Sequence, residues 1–122
     1  MCHSKDKRWA MLSETLEVLT RPAAAQLEYL ASIDPDGLVG IAVVELALEY
    51  DDAFNAVAEF RETYPKLFER LDHLDAHFEA MSDPNGKDEW TQLALKNSEA
   101  WETVRTLAKS CVSEFRASNA LR

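Results

Sequence analysis

Gly37-Leu38-Val39-Gly40-Ile41-Ala42-Val43-Val44-Glu45-Leu46-Ala47-Leu48-Glu49-Tyr50 is the stretch on which the fold class turns. Leu38, Val39, Ile41, Val43 and Val44 would suit a buried strand, because branched side chains pack well on a pleated surface. A strand needs partners, and no other segment alternates apolar and polar residues with β-branched enrichment. The run also continues into Glu45-Leu46-Ala47-Leu48-Glu49, whose residues favour helix. The stretch is therefore read as the central, most buried helix of an all-α domain.

Outward from it, every segment carries helical spacing. Trp9, Leu12, Leu16 and Leu19 mark a first helix over about residues 5–20. Pro22 suits the first position of a second helix, which carries Gln26, Leu27 and Leu30 and stops at Asp34-Pro35-Asp36-Gly37. Ala53, Phe54, Val57, Phe60 and Tyr64 continue the central stripe until Pro65, which must break or kink it. Leu67, Leu71, Leu74, Phe78 and Met81 form the next stripe, ending at Asp83-Pro84-Asn85-Gly86. A last helix over 88–118 presents Trp90, Ala94, Asn97, Trp101, Val104, Ala108, Cys111 and Phe115 at coiled-coil-like spacing, with Asn97 as its polar interruption. The expected architecture is one compact bundle of about four to six helices joined by short Asp-Pro-x-Gly turns, spanning 1–122 with fraying at 1–4 and 119–122.

A chain of 122 residues, 47% hydrophobic and 29% charged, has the mixture of one globular domain. No apolar run is long enough to span a bilayer, and the N-terminus lacks the pattern of a signal peptide. Cys2 and Cys111 match no zinc or redox spacing; Cys111 falls on the apolar stripe as a small buried hydrophobe. Met1-Cys2-His3 has the form of an amino-terminal copper or nickel site, a pattern lost if the initiator methionine is trimmed. The expected location is cytoplasmic.

The net charge of −9 is uneven: residues 34–89 hold fifteen acids and four bases, while residues 90–122 hold three acids and five bases. This balance disfavours direct nucleic-acid binding, since it draws on Lys and Arg against phosphate, and an anionic membrane would repel the chain for the same reason. A basic protein partner is favoured. On the helix after Pro65, Glu69, Asp72, Asp75 and Glu79 gather on one flank of the apolar stripe, followed by Asp83. These five form the candidate partner-binding set.

Other constellations point to metals. His73 and His77 lie four apart, so one helical face presents both, with Glu69 a turn earlier, but Leu74 stands where H-E-x-x-H needs its glutamate. Glu59/Glu62 with Glu69/Asp72 resemble the E-x-x-E and E-x-x-D elements of all-helical nucleotide pyrophosphohydrolases. That resemblance implies a magnesium-dependent hydrolase. Surface pairing, such as Glu62 with Lys66 or Arg70, is the competing account. No phosphate loop, G-x-S-x-G or Cys–His nucleophile occurs, and no cofactor is expected.

Two further resemblances are local. Asp83-Pro84-Asn85 followed by Trp90, Leu93 and Ala94, together with Tyr50-Asp51-Asp52-Ala53 through Pro65, looks like the tetratricopeptide family and implies a peptide-binding scaffold. His77-Phe78-Glu79-Ala80-Met81-Ser82 with Pro84, Gly86 and Asp88 resembles a stretch in colicin-nuclease immunity proteins, although Glu89-Trp90-Thr91 replaces that family's tyrosine pair. This second resemblance implies a small acidic helical inhibitor. The sequence thus reads as a non-enzymatic acidic protein that binds a basic protein. A helical metal-dependent hydrolase is one alternative, and self-association through the Trp90–Phe115 seam is another.

Overall fold

The computed structural model describes residues 4–34 and 42–118, with side chains of the first helix from residue 7. Six α-helices follow in order: α1 Ser4–Thr20, α2 Ala23–Ser32, α3 Glu45–Ala56, α4 Pro65–Met81, α5 Gln92–Asn97 and α6 Glu99–Ser118. A 3-10 turn, Ala58–Phe60, lies between α3 and α4. No strand occurs among the described residues, so the fold is all-α as the sequence implies. None of these helices is long and apolar enough to cross a membrane. The Met1-Cys2-His3 triplet, residues 35–41 of the first turn and the start of the decisive stretch, and 119–122 lie outside the described residues.

Helices α1 and α6 occupy the middle of the bundle: they pack on each other, α4 covers the other side of α6, and α3 covers α1. The expected central helix is therefore a flanking one. It starts at Glu45, where the amides of Leu46 and Leu48 donate to the carbonyls of Val43 and Val44 at 3.1 and 3.0 Å. Its reason for sitting outside is its pattern. Leu46, Tyr50, Ala53 and Phe54 are buried on one side, while Asp51, Asp52, Asn55 and a half-exposed Leu48 occupy the other.

Prolines open helices here. Pro22 is the N-cap of α2, one place before the expected position, and its carbonyl accepts from the Gln26 amide at 3.0 Å. Pro65 is the first residue of α4, where its missing N–H forfeits no helical bond. The central stripe breaks earlier than Pro65, at Ala56, and residues 57–64 turn so that Phe60 and Tyr64 meet Trp9. The last helix is likewise divided. Ser98 is extended (φ −79°, ψ 139°), and its hydroxyl accepts from the Ala100 amide at 3.0 Å, capping α6. Trp90 precedes α5, and Asn97 is exposed, its side-chain amide donating to Leu93 O. The rest of the expected seam, Trp101, Val104, Ala108, Cys111 and Phe115, is buried within the chain. α1 and α4 use the surface that was expected to serve a second copy.

Trp9 is the hub. It is fully buried, with ring centroids of Phe60, Tyr64, Phe68 and Phe115 at 5.4–6.4 Å. A run of aromatic contacts continues from Phe68 through Phe54, Tyr50 and Phe78 to Trp90 and Trp101. Gln26 is the one buried polar residue of the described core. Its amide nitrogen donates to Val18 O and Leu19 O, closing the end of α1, and its oxygen accepts from Arg105, which also donates to Leu95 O.

Trp9→Ala is expected to cost about 3–5 kcal/mol, because it empties a site bounded by aromatics on several elements. Leu93→Ala, at a residue 70% exposed, is expected to stay within about 0.5 kcal/mol. Urea unfolding of the two variants followed by circular dichroism checks both values.

Candidate partner-binding site

The acidic stripe of α4 follows from its register: Leu67, Leu71, Leu74, Phe78 and Met81 turn inward, which carries Glu69, Asp72, Asp75 and Glu79 to one outer flank. The structure does not leave all of them free. Asp72 is clamped by Arg61, with Nη1–Oδ2 at 2.7 Å and Nη2–Oδ1 at 3.0 Å. The same guanidinium lies over the rings of Phe68 and Phe54 at 5.1 and 5.9 Å. Asp72 is thus neutralised from within the molecule, by a residue that reaches it only because the 57–64 connection folds back over α4. Asp83 sits in the following turn, its Oδ1 accepting from the Asn85 amide at 2.9 Å and its carbonyl from the Gly86 amide at 3.1 Å. Glu69 is exposed, on the part of the stripe farthest from the core.

Asp75 and Glu79 differ from these. Asp75 is half-buried, and its carboxyl is raised above the ordinary carboxylate range by burial, then by the charges of Glu79, Asp51 and Asp72. No Lys or Arg among the described residues lies within ion-pair distance of Asp75 or Glu79. With Asp51 of α3 they rim a cleft between α3 and α4, whose floor includes Ala47, Tyr50, Phe78 and Trp90. Beneath it the Tyr50 hydroxyl donates to Leu71 O at 2.8 Å, fixing α3 on α4. At about 190 Å³ the cleft is smaller than the ~300–1,000 Å³ of small-molecule sites. It has room for a side chain.

The metal constellations do not assemble. Glu59 pairs with Arg8 at 2.8 Å, Glu62 is exposed, and no group of three or more His, Cys, Asp or Glu among the described residues is arranged to hold an ion. His73 points to solvent, while His77 Nε2 lies 2.8 Å from Ala100 O and so donates to α6. Arg70, expected near Glu62, turns instead to α6, bonding Ser110 and lying 3.8 Å from Glu114. Cys111 is fully buried, and burial pushes its thiol up to about 12 against the lowering influence of Arg70.

Sequence reasoning missed a second acidic cleft, on the opposite flank of α3. Glu14 of α1, Tyr29 of α2, and Glu49 and Asp52 of α3 line it around Met11 and Val18. The Tyr29 hydroxyl donates to Glu49 Oε1 at 2.6 Å, and burial together with that carboxylate pushes the phenol up to about 12. These residues come from three helices. Glu14 and Tyr29 lie in segments far from Glu49 and Asp52, so no local pattern groups the four.

Neither a protein-family model, nor a curated protein, nor a solved structure matches this chain.

Asp75→Asn is expected to raise stability at neutral pH, since the folded state holds that carboxylate less well than water does. An acid whose pKa is raised by folding penalises stability above its folded value, and the penalty vanishes below its unfolded value of about 3.9. The urea midpoints of wild type and variant should therefore diverge at pH 7 and converge as pH falls through the acid range. A double-mutant cycle on Arg61 and Asp72, both about half exposed, is expected to return only about 0.2–1 kcal/mol, shrinking with salt.

Proposed function

We propose that this chain is a non-enzymatic binding protein that receives a basic protein partner on the face formed by α3 and α4, in the manner of an inhibitor, an immunity protein or a nucleic-acid mimic. The observation that carries the reading is the cleft rimmed by Asp51, Asp75 and Glu79, with an apolar floor and no Lys or Arg among its lining residues. Three carboxylates held close together repel one another, and a cation placed among them gains from all three. The apolar floor suits the aliphatic stem of Lys or Arg, which carries a charged head on several methylenes. A partner of that chemistry gains attraction at long range, through the acidity of 34–89, and shape selection at short range. The same reading takes the cytoplasm as its setting.

Asp51 and Glu79 are exposed, so charge reversal at both leaves the core untouched. Titration calorimetry with an arginine-rich peptide is expected to give binding that weakens as salt rises, and that falls at least about tenfold in the Asp51→Lys, Glu79→Lys double variant. Affinity indifferent to both salt and charge reversal would defeat the proposal.

A further inference from the structure

Asn85 and Gly86 are both exposed in the turn that follows α4, and they form the one Asn-Gly pair of the sequence. Two bonds to Asp83 close the turn: its Oδ1 accepts from the Asn85 amide at 2.9 Å and its carbonyl from the Gly86 amide at 3.1 Å. A glycine at such a place usually answers a conformational need, because it alone enters the left-handed region without steric cost. That need is absent here. Gly86 lies outside the left-handed region, and a Cβ on it would meet only Asp83 O at 3.6 Å and Asp83 Cβ at 3.9 Å, ordinary van der Waals separations. What the missing side chain leaves open is access to the Gly86 nitrogen.

The Asn85 side chain makes no hydrogen bond among the described residues. The other described asparagines differ on both counts. Asn55 lies in α3, donates to Asp51 Oδ2 at 3.3 Å and precedes Ala56; Asn97 ends α5, donates to Leu93 O at 3.2 Å and precedes Ser98.

We infer that Asn85 is a site of spontaneous covalent modification, converting through a cyclic imide to aspartate and isoaspartate. The Gly86 nitrogen lets go of Asp83 O, loses its proton and bonds to Asn85 Cγ. The Cγ–Nδ2 bond breaks, and Nδ2 departs as ammonia with the proton that Gly86 gave up. The ring left behind contains the main-chain carbonyl carbon, Cα, Cβ and Cγ of Asn85 and the Gly86 nitrogen. Water then opens it, at Cγ to give aspartate or at the main-chain carbonyl to give isoaspartate. Water is the only co-reactant, and nothing is oxidised. Either product adds one negative charge, and isoaspartate also routes the main chain through Cβ, lengthening the turn by one methylene. The fold has room for both, since residues 82–88 are all exposed and packing on the core resumes at Trp90, which stacks on Phe78. The bond from Gly86 to Asp83 must open first, so the turn sets the rate. The inference is independent of any partner.

The test holds the folded full chain, Gly86→Ala and Asn85→Gln in neutral buffer at physiological temperature for several weeks, with trypsin digestion and mass spectrometry of successive samples. Cleavage after Arg70 and Lys87 releases residues 71–87, in which Asn85 is the one asparagine. That peptide is expected to gain the mass difference of an amide turned acid and to separate into two products, one of them a substrate of isoaspartyl methyltransferase. The peptides holding Asn55 and Asn97 are expected to stay unchanged. Gly86→Ala is expected to slow conversion at least about tenfold at an unaltered urea midpoint, because a Cβ crowds the attacking nitrogen. Asn85→Gln, which would have to close a larger ring, is expected to leave the peptide unmodified. No conversion in the folded chain, over a period in which a synthetic 71–87 peptide converts, would show that the turn locks the nitrogen and would overturn the inference. Equal rates in wild type and Gly86→Ala, or earlier conversion at Asn97, would overturn it as well.

Discussion

The packing of Trp9 is the constraint from which the rest of the architecture follows. One side chain on α1 touches the 3-10 turn through Phe60, the start of α4 through Tyr64 and Phe68, and the end of α6 through Phe115. Burying an aromatic ring is worth several kcal/mol, with about 0.5–1.5 more for each well-oriented ring pair. Its indole N–H finds no acceptor among the described residues, an expense of about 1–3 kcal/mol that the ring burial offsets. The arrangement explains why α3 stops at Ala56. Continuing the helix to Tyr64 would carry Phe60 and Tyr64 along its axis and away from Trp9. Breaking it folds both rings back, and the same reversal sets Arg61 above Phe68, within reach of Asp72.

Helical class and the inward faces were legible because each depends on local periodicity. Trp9, Leu12, Leu16 and Leu19, and Leu67 to Met81, point inward as their spacing requires. What spacing does not encode is the order of layers. The segment ending in Tyr50 is the most apolar in composition, yet α3 lies on the flank, since a helix with Asp51, Asp52 and Asn55 on one side has a face that only water or a partner can satisfy. Breaks without proline or glycine were also hidden. Ser98 splits α5 from α6 by offering a cap in the middle of an unbroken stripe, and a stripe cannot show that its two halves belong to different helices.

The acidic face was half legible for a related reason. Register on one helix correctly groups Asp75 with Glu79, but whether a carboxylate is free depends on residues from elsewhere in the chain. Asp72 is lost to Arg61 and Glu59 to Arg8, both across connections that no helical wheel represents. Asp51 gains a place beside Asp75 only through the packing of α3 on α4. The second cleft needed three helices to exist. Its acids were counted in the net charge without being seen as neighbours.

The core and the acidic face are one design. Tyr50 is buried on the inner side of α3 and donates to Leu71 O, so the element carrying Asp51 is bolted to the element carrying Asp75 and Glu79. Phe78 packs beneath, tilted against Tyr50 and stacked on Trp90, making the cleft floor a continuation of the aromatic run that begins at Trp9. Carboxylates on mobile loops would drift apart under mutual repulsion. Held on packed helices they cannot, and Asp75 bears the consequence: its carboxyl is raised first by burial and then by the charges of Glu79, Asp51 and Asp72. On the proposed reading, a cation entering the cleft would meet those charges without reordering the site, so little of its attraction would be spent on conformational entropy. An acidic surface of this kind is therefore built from the inside outward: hydrophobic packing supplies the rigidity that turns a net charge into a shaped acidic cleft.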